Sequence, residues 1–143
     1  MRLTSYTNYA LRALMYATLA HPRLVRVQDV ADAYGISRTH LVKCVHHLGI
    51  WGYLINQRGR NGGFRLARPP ETISVAEIVR HTEEGFSAPA CGEPDTAVLR
   101  LVDAVQRAQS AFLDVLEHHT IADITANTSE LRCILGFDVE RAA

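Results

Sequence analysis

The stretch YLINQRGRNGGFRLA, residues 53–67, leaves this chain the fewest options. Short apolar runs flank a polar turn that holds Gly59, Gly62 and Gly63, and Pro69 and Pro70 close the segment, which is the pattern of a β-hairpin. What precedes it narrows the fold further. Residues 27–34 repeat apolar side chains at helical spacing through Val27, Val30 and Ala31, Gly35 breaks the run, and Ser37 stands where it would cap a third helix. In that helix Leu41, Cys44, Val45 and Leu48 form one apolar stripe, and the helix is expected to end within 49–52. Two short helices joined by a glycine turn and followed by a basic, glycine-rich hairpin are the parts of a winged helix-turn-helix.

The remaining segments fit around that unit. Residues 9–20 are apolar on nearly every side, with Arg12 the one charge, so a helix there must be buried by other elements, and Pro22 ends it. A further short helix is expected over 72–82, with Ser74 as its cap and Val75, Ile78 and Val79 as its buried face. No Gly or Pro interrupts 97–119, the longest helix, whose stripe of Val98, Leu101, Val102, Val105, Ala108, Phe112, Val115 and Leu116 faces away from Arg100, Asp103, Arg107 and Asp114. Its length and narrow stripe point to packing against a second copy of the chain. One or two short helical turns are expected within 120–135, and the end, 138–143, is expected to fray. The expected class is mainly α with a small β-hairpin wing.

A formal net charge of zero conceals a division. Residues 1–70 carry ten Lys and Arg against two Asp, a balance of +8, whereas the rest of the chain carries five Arg against thirteen Asp and Glu, a balance of −8. The first half attracts a polyanion and the second repels it. The N-terminal residues have no apolar run long enough for a secretory core or a bilayer span, so a cytoplasmic protein without membrane contact is expected. Three widely spaced cysteines, Cys44, Cys91 and Cys133, do not make a disulfide framework. Cys44 belongs to the core stripe, and Cys133 carries no signal of its own. There is no phosphate-cradling loop, nucleophile elbow or histidine-glutamate-histidine zinc motif, so no enzyme is indicated.

Thr39, Lys43, His46 and His47 fall opposite the core stripe of the third helix, with Arg38 and His40 in its first turn; all six are expected to face the DNA major groove. Lys43 and Arg38 can donate to guanine edges or phosphates, and Thr39 can meet a thymine methyl. In the hairpin, Arg58, Arg60 and Asn61 sit among glycines that let the backbone approach a phosphate or enter the minor groove. A merely solvated face is the plainer reading of these residues, and the neighbouring hairpin and the charge division weigh against it. His40, Cys44 and His47 also have zinc-like helical spacing, but the core needs Cys44. His118 and His119 suit the negative end of the long helix without any ligand role.

The segments MRLTSYTNYALRALMY, VADAYGISRTHLVK and RGRNGGFRLARP resemble the family of regulators that includes the nitric-oxide-sensing NsrR repressors and the iron regulators RirA and IscR. The similarity runs from Met1 to about Leu135. It implies a homodimeric winged-helix regulator, expected to repress, with each subunit placing a recognition helix and a wing on a palindromic operator in double-stranded DNA. It divides the chain into a DNA-binding domain over 1–82, a sensor loop over 83–96, the dimerisation helix and short helices over 97–135, and a tail over 136–143.

The family also holds an iron–sulfur cluster on three cysteines of the sensor loop, and this chain departs from that pattern. Only Cys91 lies there; the third cysteine's place falls near Leu99, and the second has no counterpart in 92–98. Asn8 stands where many nitric-oxide sensors carry a ligating aspartate, while iron-responsive relatives carry asparagine. An amide is a poor substitute for a carboxylate ligand. Cys91 then admits three readings. It is one ligand of a cluster completed by groups such as Glu83, Glu84, Glu93, Asp95 or His81; or a redox-sensing thiol in a cluster-free protein; or a residue of a regulator that senses something else. A winged-helix module that binds protein is the alternative from another class, and it has no need of a basic helix face and an arginine wing together.

Overall fold

The computed structural model describes residues 2–84, 96–127, 129 and 132. The elements run α1 (Ser5–Ala20), α2 (Val27–Tyr34), α3 (Arg38–Ile50), β1 (Leu54–Gln57), β2 (Gly63–Leu66), a 3-10 turn (Pro70–Thr72), α4 (Val75–Thr82), α5 (Thr96–Glu117) and α6 (Ile121–Thr125). This is the mainly helical fold with one antiparallel hairpin that the sequence predicts.

Helix α1 is the centre of the domain and packs against both α3 and α6. Its inward residues Ala10, Ala13, Leu14 and Ala17 are buried, and three small side chains let the neighbouring backbones come close. The helix starts four residues before the apolar run does. Thr4 caps it by accepting a 3.2 Å hydrogen bond from the Thr7 N–H, a polar contact that leaves no apolar period. Gly35 closes α2 in the left-handed region, at φ 62°, where a side chain would be strained. Ser37 occupies the N-cap position of α3, as its place in the sequence predicts, but its side chain makes no capping bond.

In the wing, Leu54 pairs with Leu66 and Gln57 with Gly63. Phe64 is completely buried and exchanges two 2.8 Å backbone hydrogen bonds with Val25, which adds a one-residue third strand ahead of α2. Gly63 makes this possible, because a Cβ there would lie 2.5 Å from the Val25 carbonyl oxygen. The hairpin is thus fastened to the domain and not simply appended to it.

Helix α4 begins at Val75, after the 3-10 turn, and Ser74 caps it by accepting from the Glu77 N–H at 3.1 Å. Two backbone bonds, Val75 N–H to His119 O at 2.8 Å and Ile121 N–H to Ile73 O at 2.9 Å, join the start of α4 to the start of α6. Arg80 pairs with Glu117 at 2.8 Å. Phe64, Leu14, Leu41, Leu48, Ile73, Ile78 and Ile121 form the deepest part of the core. None of them comes from α5, where Leu99, Leu101, Val102, Val105 and Val115 are exposed. The tail over 136–143 lies outside the described residues.

Candidate nucleic-acid interface

The core stripe of α3 is buried as its spacing predicts, and this orients everything else on the helix. Arg38, Thr39, His40, Val42, Lys43, His46 and His47 are all exposed. They do not form one uniform face. Arg38, Val42 and His46, four residues apart, line a groove of about 550 Å³ between α3 and the wing. Arg58 and Arg60 line its opposite side, and Arg26, from the start of α2, joins them. No Asp or Glu is among the lining residues. The groove walls therefore present four guanidinium groups and no carboxylate, with Asp29 engaged outside the lining by the Arg26 backbone N–H at 3.2 Å, and this is the electrostatic character a phosphate backbone requires.

Thr39 and Lys43 are exposed but do not line this groove; by helical geometry they occupy the adjacent outward strip of α3. Asn61 is exposed in the turn of the wing, next to the arginines. His40 is exposed in the first turn. His47 differs from its predicted partners: its Nδ1 pairs with the hydroxyl of Tyr6 on α1, and its ring lies 5.6 Å from that of Trp51. Its hydrogen bond runs to α1, and it does not line the groove.

Arg26 leaves no signal in the sequence because it precedes α2 and lies far along the chain from the other basic residues. Only the Val25–Phe64 pairing brings it to the wing. The relation between wing and helix is also fixed locally. Asn56 Nδ2 donates a 3.0 Å hydrogen bond to the Val45 carbonyl of α3, and its amide packs directly over Gly49.

Cys44 is fully buried, and desolvation pushes its thiol up to about 12. It serves as a small apolar side chain. The zinc arrangement with His40 and His47 is not formed, and among the described residues no three His, Cys, Asp or Glu side chains gather as metal ligands.

At the start of the predicted sensor loop, the Glu83 carboxylate accepts hydrogen bonds from the Thr4 N–H at 2.7 Å and from the Thr7 hydroxyl. His81 stacks on Trp51 with ring centroids 4.8 Å apart and meets the edge of Tyr53. Asn8 donates to the Thr4 carbonyl at 2.9 Å. Glu83 and His81, two of the groups considered beside Cys91, thus join α4 to α1 and to the end of α3, whereas the Asn8 bond stays within the start of α1 and Glu84 is exposed. Cys91, Glu93 and Asp95 lie outside the described residues, as does Cys133.

Comparison with known proteins identifies the family. Residues 3–127 match the family described as Rrf2, iron-dependent transcriptional regulator. The HTH-type transcriptional regulator NsrR of Bacillus licheniformis is 43% identical over 143 residues, covering 95% of this chain and all of the relative. The NsrR of Geobacillus kaustophilus is 42% identical, covering 94% and 97% of the two chains. Among solved structures, the global cysteine regulator CymR of B. subtilis superposes with a TM-score of 0.73 at 22% identity, covering 89% of this chain and 98% of that one. The IscR of T. potens gives a TM-score of 0.69 at 21% identity, covering 91% and 90%. These two likenesses concern the fold alone.

Proposed function

The chain belongs to the Rrf2 family of transcriptional regulators, and from that premise we propose that it is a homodimeric repressor that reads a palindromic operator in double-stranded DNA. Its relatives are regulators of transcription and not enzymes. The observation that carries the proposal is the carboxylate-free groove between α3 and the wing, with Arg26, Arg38, Arg58 and Arg60 on its walls. In this reading α3 enters the major groove with Arg38, Thr39, His40, Lys43 and His46, while Arg58, Arg60 and Asn61 of the wing hold the adjacent backbone or minor groove. His47 contributes by positioning α3 through Tyr6.

The dimer reading is supported by α5. Five large apolar side chains on it are exposed in the single chain, with Leu101 at 65% and Val115 at 62%, and a symmetric partner helix would remove those of the stripe, Leu101, Val102, Val105 and Val115, from water. No described helix is long and apolar enough to cross a membrane, consistent with a regulator that works beside DNA in the cytoplasm.

The signal is proposed to enter through the sensor loop over 83–96, which carries Cys91, as a change in iron, nitric oxide or redox state. In this reading Cys91 serves either as one ligand of an iron–sulfur cluster completed by non-cysteine groups or, in a cluster-free protein, as a redox-sensing thiol. A displacement of that loop would pull on Glu83, and through it on Thr4 and Thr7 at the start of α1. Tyr6, in the same turn, pairs with His47 on α3, so the recognition helix would feel the shift.

Hydroxyl-radical footprinting on a duplex selected from a random-sequence library tests the proposal. Two patches of protection related by two-fold symmetry are expected. A single patch would contradict the dimeric reading, and uniform cleavage would contradict DNA recognition.

A further inference from the structure

We propose that Val42 is a specificity-determining residue, which packs on the C5-methyl group of a thymine in the major groove and so requires a T·A pair at one position of each half-site. The inference rests on the DNA-binding reading above and adds to it what is read at a particular place.

Val42 is 42% exposed, although it is apolar and β-branched. Such a residue gains little on a helix surface, where its intrinsic propensity is low, and Val42 takes no part in the hydrophobic core. Seven other large apolar side chains are exposed among the described residues: five on α5, together with Ile50 and Ile55. None of the seven lines the groove between α3 and the wing. Val42 does, between Arg38 one turn before it and His46 one turn after it. It is an apolar spot within a row of hydrogen-bond donors.

Base edges in the major groove offer donors, acceptors and one apolar group, the thymine methyl. Arg38 and His46 can reach acceptors on either side, while Val42 can satisfy only that methyl. Its position is also fixed. Val45, one turn of the same helix onward, is clamped to the wing by the Asn56 hydrogen bond, and the core stripe prevents α3 from rotating. A guanine or cytosine at the contacted step would set a polar edge against the isopropyl group and leave that edge desolvated without a partner.

The test is selection of duplexes from a random library, followed by replacing each conserved thymine of the enriched sequence with deoxyuridine, which removes only the methyl. For the unaltered protein, one position per half-site is expected to lose about fourfold in affinity, the value of one buried methyl group. In Val42→Ser the same replacement is expected to cost nothing, because the partner is already absent, while circular dichroism and melting remain as in the parent. If a sequence is enriched and every deoxyuridine replacement is neutral, or if Val42→Ser retains the full penalty, the role of Val42 is overturned and DNA recognition stands. If nothing is enriched, the DNA-binding reading fails, and this inference fails with it.

Discussion

Glu83 accepts a 2.7 Å hydrogen bond from the backbone N–H of Thr4, so a residue at the far end of α4 fastens the first turn of α1. Burial at this junction raises the carboxyl pKa, but the hydrogen bonds from Thr7 and Thr4 outweigh it and hold the group below its ordinary value. A lowered carboxylate pKa contributes stability that is present above the unfolded-chain value and is lost as pH falls through the folded one. Glu83→Gln should therefore be less stable at neutral pH by about 0.5–1 kcal/mol, less than a charge-assisted bond usually contributes, since the group is partly in water. Melting curves of the two proteins should converge below the ordinary carboxylate range. Curves that stay parallel into acid would show that the charge plays no part.

Asn56 and Gly49 make a second coupled pair. A methyl group at residue 49 would collide with the Asn56 amide and break its bond to Val45. Gly49→Ala should destabilise by about 1–3 kcal/mol, part of it the broken bond and part the crowding, offset by the better helix propensity of alanine. With Asn56→Ala already in place, the same change should cost much less. A denaturation cycle in which the two effects simply add would mean that the wing and α3 are not joined through this pair.

Cys44 should be chemically silent in the folded protein. Its thiol is fully buried and pushed up to about 12 by desolvation, so almost no thiolate exists at pH 8. Alkylation followed by peptide mass mapping should find it unmodified under native conditions and fully modified in denaturant. Rapid native labelling at Cys44 would contradict the packing of α3 on the core.

Much of this structure is legible in the sequence because it is local. The apolar stripe of α3, the Ser74 cap and the glycines of the hairpin are short-range patterns, and each governs the geometry where it stands. The features that are not legible are the non-local ones. Arg26 enters the groove through the Val25–Phe64 pairing, and Glu83 reaches α1 across 79 residues; neither interaction leaves a period or a spacing to read. Helical phase alone places His47 with its outward neighbours and cannot register a tyrosine from another helix. The start of α1 is hidden for a related reason, since its first turn is polar and is held by Thr4 rather than by apolar residues.

Arg26 and Arg60 should act alike on DNA despite their different origins. Each lines the same groove, and alanine at either position should weaken duplex binding and lower the slope of log affinity against log salt by about 0.9 for each phosphate that is no longer neutralised. Binding titrations over a series of salt concentrations measure this. An unchanged slope for one variant would remove that residue from the interface.

The most direct test of the whole account is a fluorescence-anisotropy titration of a labelled duplex with the purified chain at low salt. Saturable binding with two chains per site, weakened steeply by added salt and by Lys43→Glu, is the predicted result. A duplex that stays free at every protein concentration, or is bound equally well by Lys43→Glu, would contradict it.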